Sequence, residues 1–385
     1  MCVHIGSAPY DTQFRQFAAS AGKLGVRYLR DELRPSNDLG RWRTLHEQFG
    51  IRSHLLVSPA TNTVAEMLAY LDALGAERIS AVEGQNEGDS GWFIARPEAR
   101  PDWAHAVIAY QRAVYAAVRA RYPRRALPVL SPTVLDYKPA DMRLLADAAR
   151  YCDTVAVHAY AQGGQEPETE EAYAGLPWYR QAFALPFKPE APVMLTEAGY
   201  HNVIGRDHSG LSAKAAAKYL PRLLLHAFGL GLSRTFIYEF MDEGRDSADP
   251  EQHYGLVSSS MEPKPAYHAL RSLLGTLADP GPLFTPQDLD LEVSTTQRAV
   301  RLLSFQKRGG DVYLAVWLAA RSWDSAAQQD IAAAPVRIRI AASRAFNEAA
   351  SLQLGSGQGW RGLKRPGDIL DILVEDTVTI VRLVP

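Results

Sequence analysis

Cysteine is nearly absent from this chain: Cys2 and Cys152 are the only two among 385 residues. Both fall in apolar runs that read as distant core strands, so buried free thiols are expected rather than a disulfide or a cysteine-built metal site. Long apolar runs are also missing, and nothing approaches the roughly 20 residues of a membrane-spanning helix. Charge of one sign is missing too. The 41 Lys and Arg against 43 Asp and Glu leave a net charge of -2, which argues against nucleic acid or an anionic membrane as partner. No GxGxxG follows an apolar run and no His-Glu-x-x-His occurs, which removes the dinucleotide and zinc-protease signatures. No metal and no cofactor is called for, and no oligomeric state is indicated. The N-terminus shows no charged segment leading into an apolar one, as a signal peptide would. The chain enters its first apolar run at once, Cys2-Val3-His4-Ile5-Gly6. That start suggests a trimmed precursor of a secreted or periplasmic protein, with a natural cytoplasmic start as the alternative.

What is present is alternation. Short apolar runs at 2–6, 25–30, 51–57, 79–85, 127–131, 153–159, 192–197 and 234–240 read as strands. Amphipathic stretches near 11–22, 41–49, 63–74, 102–121, 139–149, 172–184, 211–228 and 264–275 read as helices. Eight such units predict an α/β chain whose residues 1–280 form a (β/α)8 TIM barrel; a doubly wound open sheet more often uses fewer strands. After Asp279-Pro280-Gly281-Pro282 the pattern changes to short strand runs, from 290–294 to 377–383, with no long helix between them. This predicts a small C-terminal β-sandwich over 281–385, serving packing and stability.

Two of the apolar runs end in an acid. One reads Ile79-Ser80-Ala81-Val82-Glu83-Gly84-Gln85-Asn86-Glu87, the other Pro192-Val193-Met194-Leu195-Thr196-Glu197-Ala198-Gly199-Tyr200. In an α/β barrel the C-terminal strand ends form one active face, so two such carboxylates converge there. Cleavage of a glycosidic bond needs that pair. Asn86-Glu87 at the fourth strand and Glu197 at the seventh resemble clan A glycoside hydrolases, closest to families 39 and 5. The resemblance spans the whole predicted barrel. It implies a retaining hydrolase of an oligo- or polysaccharide, with Glu87 as general acid/base and Glu197 as nucleophile. Asn86 is placed to donate to a sugar 2-hydroxyl. Where the family often has Asn-Glu-Pro, this chain has Gly88 and Asp89; a glycine at positive φ would bend the loop differently, and Asp89 reads as a turn cap.

Other strand ends supply partners. Arg30 closes the second run; by the resemblance it hydrogen-bonds the nucleophile and keeps Glu197 ionised, while a pair with Asp31 is the plainer reading. His158 and Tyr160, two apart, point to the same side; they suit a sugar hydroxyl and the nucleophile, with a satisfied core histidine as the alternative. Where the clan often places a Trp under the sugar, the eighth run has Tyr238 and Glu239. Tyr238 then serves as platform and Glu239 as hydroxyl ligand, with no sign of which faces the pocket. Trp92, Trp178 and Tyr200 follow strand ends and suit sugar faces, or simple packing. The polar tract 159–178 reads as a loop on the active face, able to wall off one end of a cleft. His4 reads as core or supporting. Asp242, Glu243, Asp246 and Asp249 form an acidic loop without EF-hand spacing and read as solvated. Rival barrel chemistries, metal-dependent hydrolase or aldolase, need more His or a Lys at strand ends. The second rival is a carbohydrate-binding barrel without turnover.

Overall fold

The computed structural model describes residues 1–34, 39–90, 102–135, 137–161, 164–205, 210–244, 246, 248–295, 297–363 and 368–385. Up to α9 the chain alternates helix and strand in the order α1 (Phe14–Leu24), β1 (Tyr28–Glu32), α2 (Leu39–Phe49), β2 (Arg52–Leu56), α3 (Val64–Leu74), β3 (Ile79–Glu83), α4 (Trp103–Arg121), α5 (Pro139–Leu144) and β4 (Val155–His158). It continues with α6 (Leu176–Trp178), α7 (Leu185–Phe187), β5 (Val193–Ala198), α8 (Ala213–Gly229), β6 (Arg234–Ile237) and α9 (Pro265–Leu277). The residues explain the boundaries. Thr63 and Glu66 form a reciprocal capping box at the start of α3, which satisfies two of its orphan donors. Gly25, at φ 86, closes α1 in the left-handed conformation that glycine adopts without steric cost. Among the described residues no helix is long and apolar enough to cross a membrane.

β1, β2 and β3 pair in parallel, as do β4, β5 and β6. Two of the eight expected strands shrink to bridges. The run at 2–6 pairs only at Cys2, which bridges Arg30 on one side, while its amide donates to Ile237 O at 2.9 Å on the other. Beyond it Ser7 N turns back to His4 O, and Pro9 follows without a donor. The run at 127–131 bridges Val82 through Val129 and Thr154 through Leu130. Pro128 and Pro132 flank that bridge, and a proline cannot donate to a ladder. Backbone pairing therefore passes from Cys2 through β1–β3, 129–130 and β4–β6, and returns to Cys2. Between that ring and the helices, Ile5, Leu29, Leu55, Val82, Val129, Val157 and Leu195 belong to one apolar cluster with the helices' inner faces, while Ala81, Leu130, Ala156 and Met194, on the opposite strand faces, form a separate small cluster.

The C-terminal part is all strand: β7 (Leu291–Ser294), β8 (Val300–Gln306), β9 (Val312–Leu318), β10 (Trp323–Asp324), β11 (Gln329–Asp330), β12 (Val336–Ala342), β13 (Glu348–Gln353), β14 (Arg361–Gly362), β15 (Ile369–Val374) and β16 (Thr379–Val384). A sheet in the order β15-β12-β7 faces one in the order β14-β13-β16-β9-β8. β9 is buried along its whole length because its two faces serve two cores. Val312, Leu314 and Val316 meet Ile338, Ile340 and Ile372 of the other sheet. Tyr313, Ala315 and Trp317 pack with Leu225 of α8 and Leu273 of α9.

A buried ionic knot pins this second core. Arg222 of α8 is fully buried; its Nε donates to Glu168 Oε1 at 3.0 Å and its Nη1 to Ala320 O at 2.9 Å. Trp317 Nε1 donates to the same Glu168 oxygen at 2.6 Å. The polar tract expected to wall a cleft thus turns inward at Glu168. Replacing Arg222 by Ala strands that carboxylate. The expected loss is about 3–5 kcal/mol, read as a lower denaturation midpoint; an unchanged midpoint would contradict the knot's role.

Candidate active site

The C-terminal ends of the paired strands carry a polar cluster that opens into a cleft of about 530 Å³. Arg30, in β1, is its hub and is 5% exposed. Its Nε and Nη2 clasp Glu83 of β3 at 2.8 and 3.0 Å. Nη1 donates to Glu197 Oε1 at 2.7 Å and Nη2 to Asn86 Oδ1 at 2.8 Å. Asp31 is not its partner: that carboxylate accepts the amides of Ile5 and Glu32.

Glu197, at the end of β5, receives a second hydrogen bond from Tyr160 Oη at 2.9 Å. Burial works to raise its pKa, but the charges of His158 and Arg30 and the Tyr160 hydroxyl outweigh it, and the carboxyl is held below its ordinary value. Glu83 is fully buried and held well below its ordinary value by Arg30 and both neighbouring histidines, against the burial cost. His54 Nε2 lies 2.8 Å from Glu83 Oε2; burial lowers the pKa of His54, so it donates as a neutral ring.

Glu87 lies after β3 with φ 40, a left-handed conformation that only about a few per cent of non-glycine residues adopt. Its amide donates to Thr133 Oγ1 at 3.0 Å, and the next amide donates to Thr133 O at 3.2 Å. The bend expected at Gly88 therefore falls on Glu87. Gly88 is small for another reason: a Cβ there would come within 2.8 Å of Val107. Asp89 accepts the Leu135 amide at 2.8 Å.

His158, the register partner of Glu197, stands between the acids. Its Nδ1 lies 2.8 Å from Glu87 Oε1 and 3.6 Å from Glu197 Oε2, and its Nε2 lies 3.9 Å from Glu83 Oε1. One ligating atom from each of Glu87, His158 and Glu197 falls within 4.8 Å of the other two. Burial opposes the charged ring and Arg30 Nη2 is 3.5 Å away, yet Glu197, Glu83 and Glu87 together raise its pKa from 6.5 to about 9.

Tyr238 lines the cleft with Tyr160 and Tyr254; the three rings meet edge to face at 5.3 to 6.5 Å. Glu239 does not reach the cleft. The side chain next to Tyr238 is completely buried and accepts Tyr10 Oη at 2.8 Å. Trp178 stacks within its own segment against Tyr173 and Tyr179. Tyr200 is buried and donates to Gln165 O at 3.0 Å. Trp92 lies outside the described residues. Sequence reasoning missed Glu83, His54, Thr133 and Tyr254. An acid directly after Ala81-Val82, inside a strand-forming run, was the available signal for Glu83, since a buried charge requires a partner.

No protein-family model matches the sequence, and no curated protein matches it. Among solved structures the fold is similar to that of a family 39 glycoside hydrolase from the gut symbiont Bacteroides cellulosilyticus WH2. That likeness has 16% identity, a TM-score of 0.68, and covers 100% of this chain and 80% of that one. A glucosidase from Croceicoccus marinus is similar at 10% identity and TM-score 0.64, over 96% of this chain and 91% of that one. An active-site mutant of a β-1,3-glucanosyltransferase from Rhizomucor miehei, in complex with laminaritriose, is similar at 17% identity and TM-score 0.52, over 69% and 93%. At such identities the likeness is one of fold. It agrees with the clan A resemblance read from Asn86-Glu87 and Glu197, and with an α/β chain that ends in a β-rich part.

A raised histidine pKa stabilises the folded chain fully below about pH 6.5, and that contribution is lost as pH rises through about 9. The His158 ring is expected to titrate near 9 by NMR and to move down in Glu197→Gln, which removes the largest raising charge. An unmoved titration in that variant would refute the assigned cause.

Proposed function

We propose that this chain is a retaining glycoside hydrolase of the clan A type, acting on an oligo- or polysaccharide. In this reading residues 1–280 are a (β/α)8 barrel, residues 281–385 are an ancillary β-sandwich, and the catalytic pair is Glu197 with Glu87. The observation that carries the reading is the proximity of those two carboxyls, whose ligating oxygens lie within 4.8 Å. Retaining enzymes hold the pair about 5–5.5 Å apart, whereas inverting enzymes leave about 6.5–9.5 Å for a water. The names of the similar structures, hydrolase, glucosidase and glucanosyltransferase, support sugar chemistry for the fold.

The steps follow from the environments. Glu197, ionised and aimed by Arg30 and Tyr160, attacks the anomeric carbon. Glu87 delivers a proton to the leaving oxygen, with protonated His158 at 2.8 Å as its adjacent proton source. Neutralising Glu197 in the glycosyl-enzyme removes one of the charges that hold the proton on His158. Glu87, relieved of its proton, then activates water. Asn86, fixed by Arg30, offers its amide N–H to a hydroxyl, and Tyr238 faces the sugar as platform.

A panel of activated aryl glycosides and polysaccharides tests this. Glu197→Ala and Glu87→Ala should each lose about 2.7–4 kcal/mol or more of transition-state stabilisation, on the scale of losing one strong electrostatic contact. Mass spectrometry of the trapped intermediate should place a glycosyl adduct on Glu197. An adduct elsewhere would reassign the nucleophile. No turnover of any sugar, with both variants binding as the parent does, would make the chain a carbohydrate-binding barrel.

A further inference from the structure

We propose that His4, Glu239 and Glu243 form a binding site for a divalent metal ion of the zinc class, beside the cleft and separate from the two-glutamate centre. His4 Nε2 lies 3.7 Å from Glu239 Oε2 and 3.5 Å from Glu243 Oε1. No hydrogen bond joins the three side chains, yet one ligating atom of each lies within 4.8 Å of the other two. Ligands at about 2.0–2.2 Å from a tetrahedral zinc stand roughly 3.3–3.6 Å apart; the 3.5 Å from His4 Nε2 to Glu243 Oε1 matches that spacing, while the 3.7 Å contact to Glu239 is to the oxygen that Tyr10 holds, beside the unpartnered Oε1.

Two atoms of this cluster are buried without a hydrogen-bond partner: His4 Nε2 and Glu239 Oε1. Glu239 itself has no solvent exposure. Its other oxygen is held by Tyr10 Oη at 2.8 Å, and that hydroxyl is anchored by the Met241 amide at 2.9 Å. A ligating carboxylate is oriented by such an outer hydrogen bond, which leaves the second oxygen for the metal. Among the described residues no lysine or arginine forms an ion pair with Glu239 or Glu243. Their neighbour Asp242 shows the contrast, accepting Lys264 at 2.7 Å and the Gly255 amide at 2.8 Å.

The Glu87, His158 and Glu197 atoms also have ligand spacing, but Arg30, Tyr160 and the His158–Glu87 contact already occupy them. The imidazole favours zinc over calcium or magnesium, which prefer all-oxygen sets. Three protein ligands leave a fourth position for water. The ion would tie the start of the chain to the segment after β6, and so hold Tyr238, whose ring meets His4 at 6.0 Å.

The test needs no substrate. Chelator-treated, dialysed protein is titrated with zinc chloride by calorimetry, with metal content measured after desalting. One zinc per chain is expected, with a thermal midpoint that rises as zinc is added. His4→Ala and Glu243→Gln should weaken binding by about 100-fold or more, and Tyr10→Phe by about 10- to 100-fold. Glu197→Gln should bind as the parent does. The proposal is overturned if the parent takes up no zinc, if His4→Ala and Glu243→Gln, folded by circular dichroism, bind it unchanged, or if Glu197→Gln abolishes binding.

Discussion

The Arg30–Glu83 pair is the constraint on which the rest of the site depends. A guanidinium buried inside a ring of strands must find carboxylates, and Glu83 meets it with two parallel hydrogen bonds. The remaining donors then have fixed directions, and they point to Glu197 and Asn86. Breaking such a buried pair costs about 3–5 kcal/mol, so the hub is rigid where an apolar filling would have been cheaper. The charges also close. Arg30 and His158 are cationic, Glu83 and Glu197 are held ionised, and the four sum to zero without help from solvent.

The same logic of a buried ion with no spare partners couples the two halves of the chain. Arg222 projects from α8, Glu168 comes from the polar tract after β4, and Trp317 comes from β9. Three separate segments meet at one carboxylate. Because β9 buries both faces, the C-terminal sheets cannot move off the helices without exposing Tyr313, Ala315 and Trp317.

Strand ends were the legible part of the sequence. Arg30, Asn86, Glu87, His158, Tyr160 and Glu197 each stand at or near the end of an apolar run and Tyr238 within the eighth, and the structure brings all seven to one cluster or its cleft. The middle of a run was harder to read. Glu83 and His54 sit inside strands, next to Val82 and Leu55, and only their partners explain them. Tyr238 and Glu239 could not be separated in advance, since adjacent side chains take opposite faces and the run does not say which is inner. Trp178 packs on Tyr173 and Tyr179, and Tyr200 reaches Gln165 and Tyr219, distinctions that composition does not carry. Strand propensity at 2–6 and 127–131 was real but was limited by the prolines and the turn beside them.

Hydrogen-bond completeness separates the two carboxylate clusters that flank Tyr238. Around Glu197 the acids face fixed donors, and the charges balance before any ligand arrives. Such a centre is ready to meet charge that develops during a reaction, because its dipoles need not reorganise. Around His4 the balance is missing. Two acids share one histidine, and both His4 Nε2 and the inner Glu239 oxygen lack a donor or acceptor. Buried polar atoms left in that condition require a partner. Among the described residues the contacts spanning the gap are the 3.5 and 3.7 Å approaches of His4 Nε2, too long for a direct hydrogen bond and suited to groups around a common ion. One face of Tyr238 thus borders a self-sufficient cluster, the other an incomplete one, and the incomplete one is where an additional charge belongs.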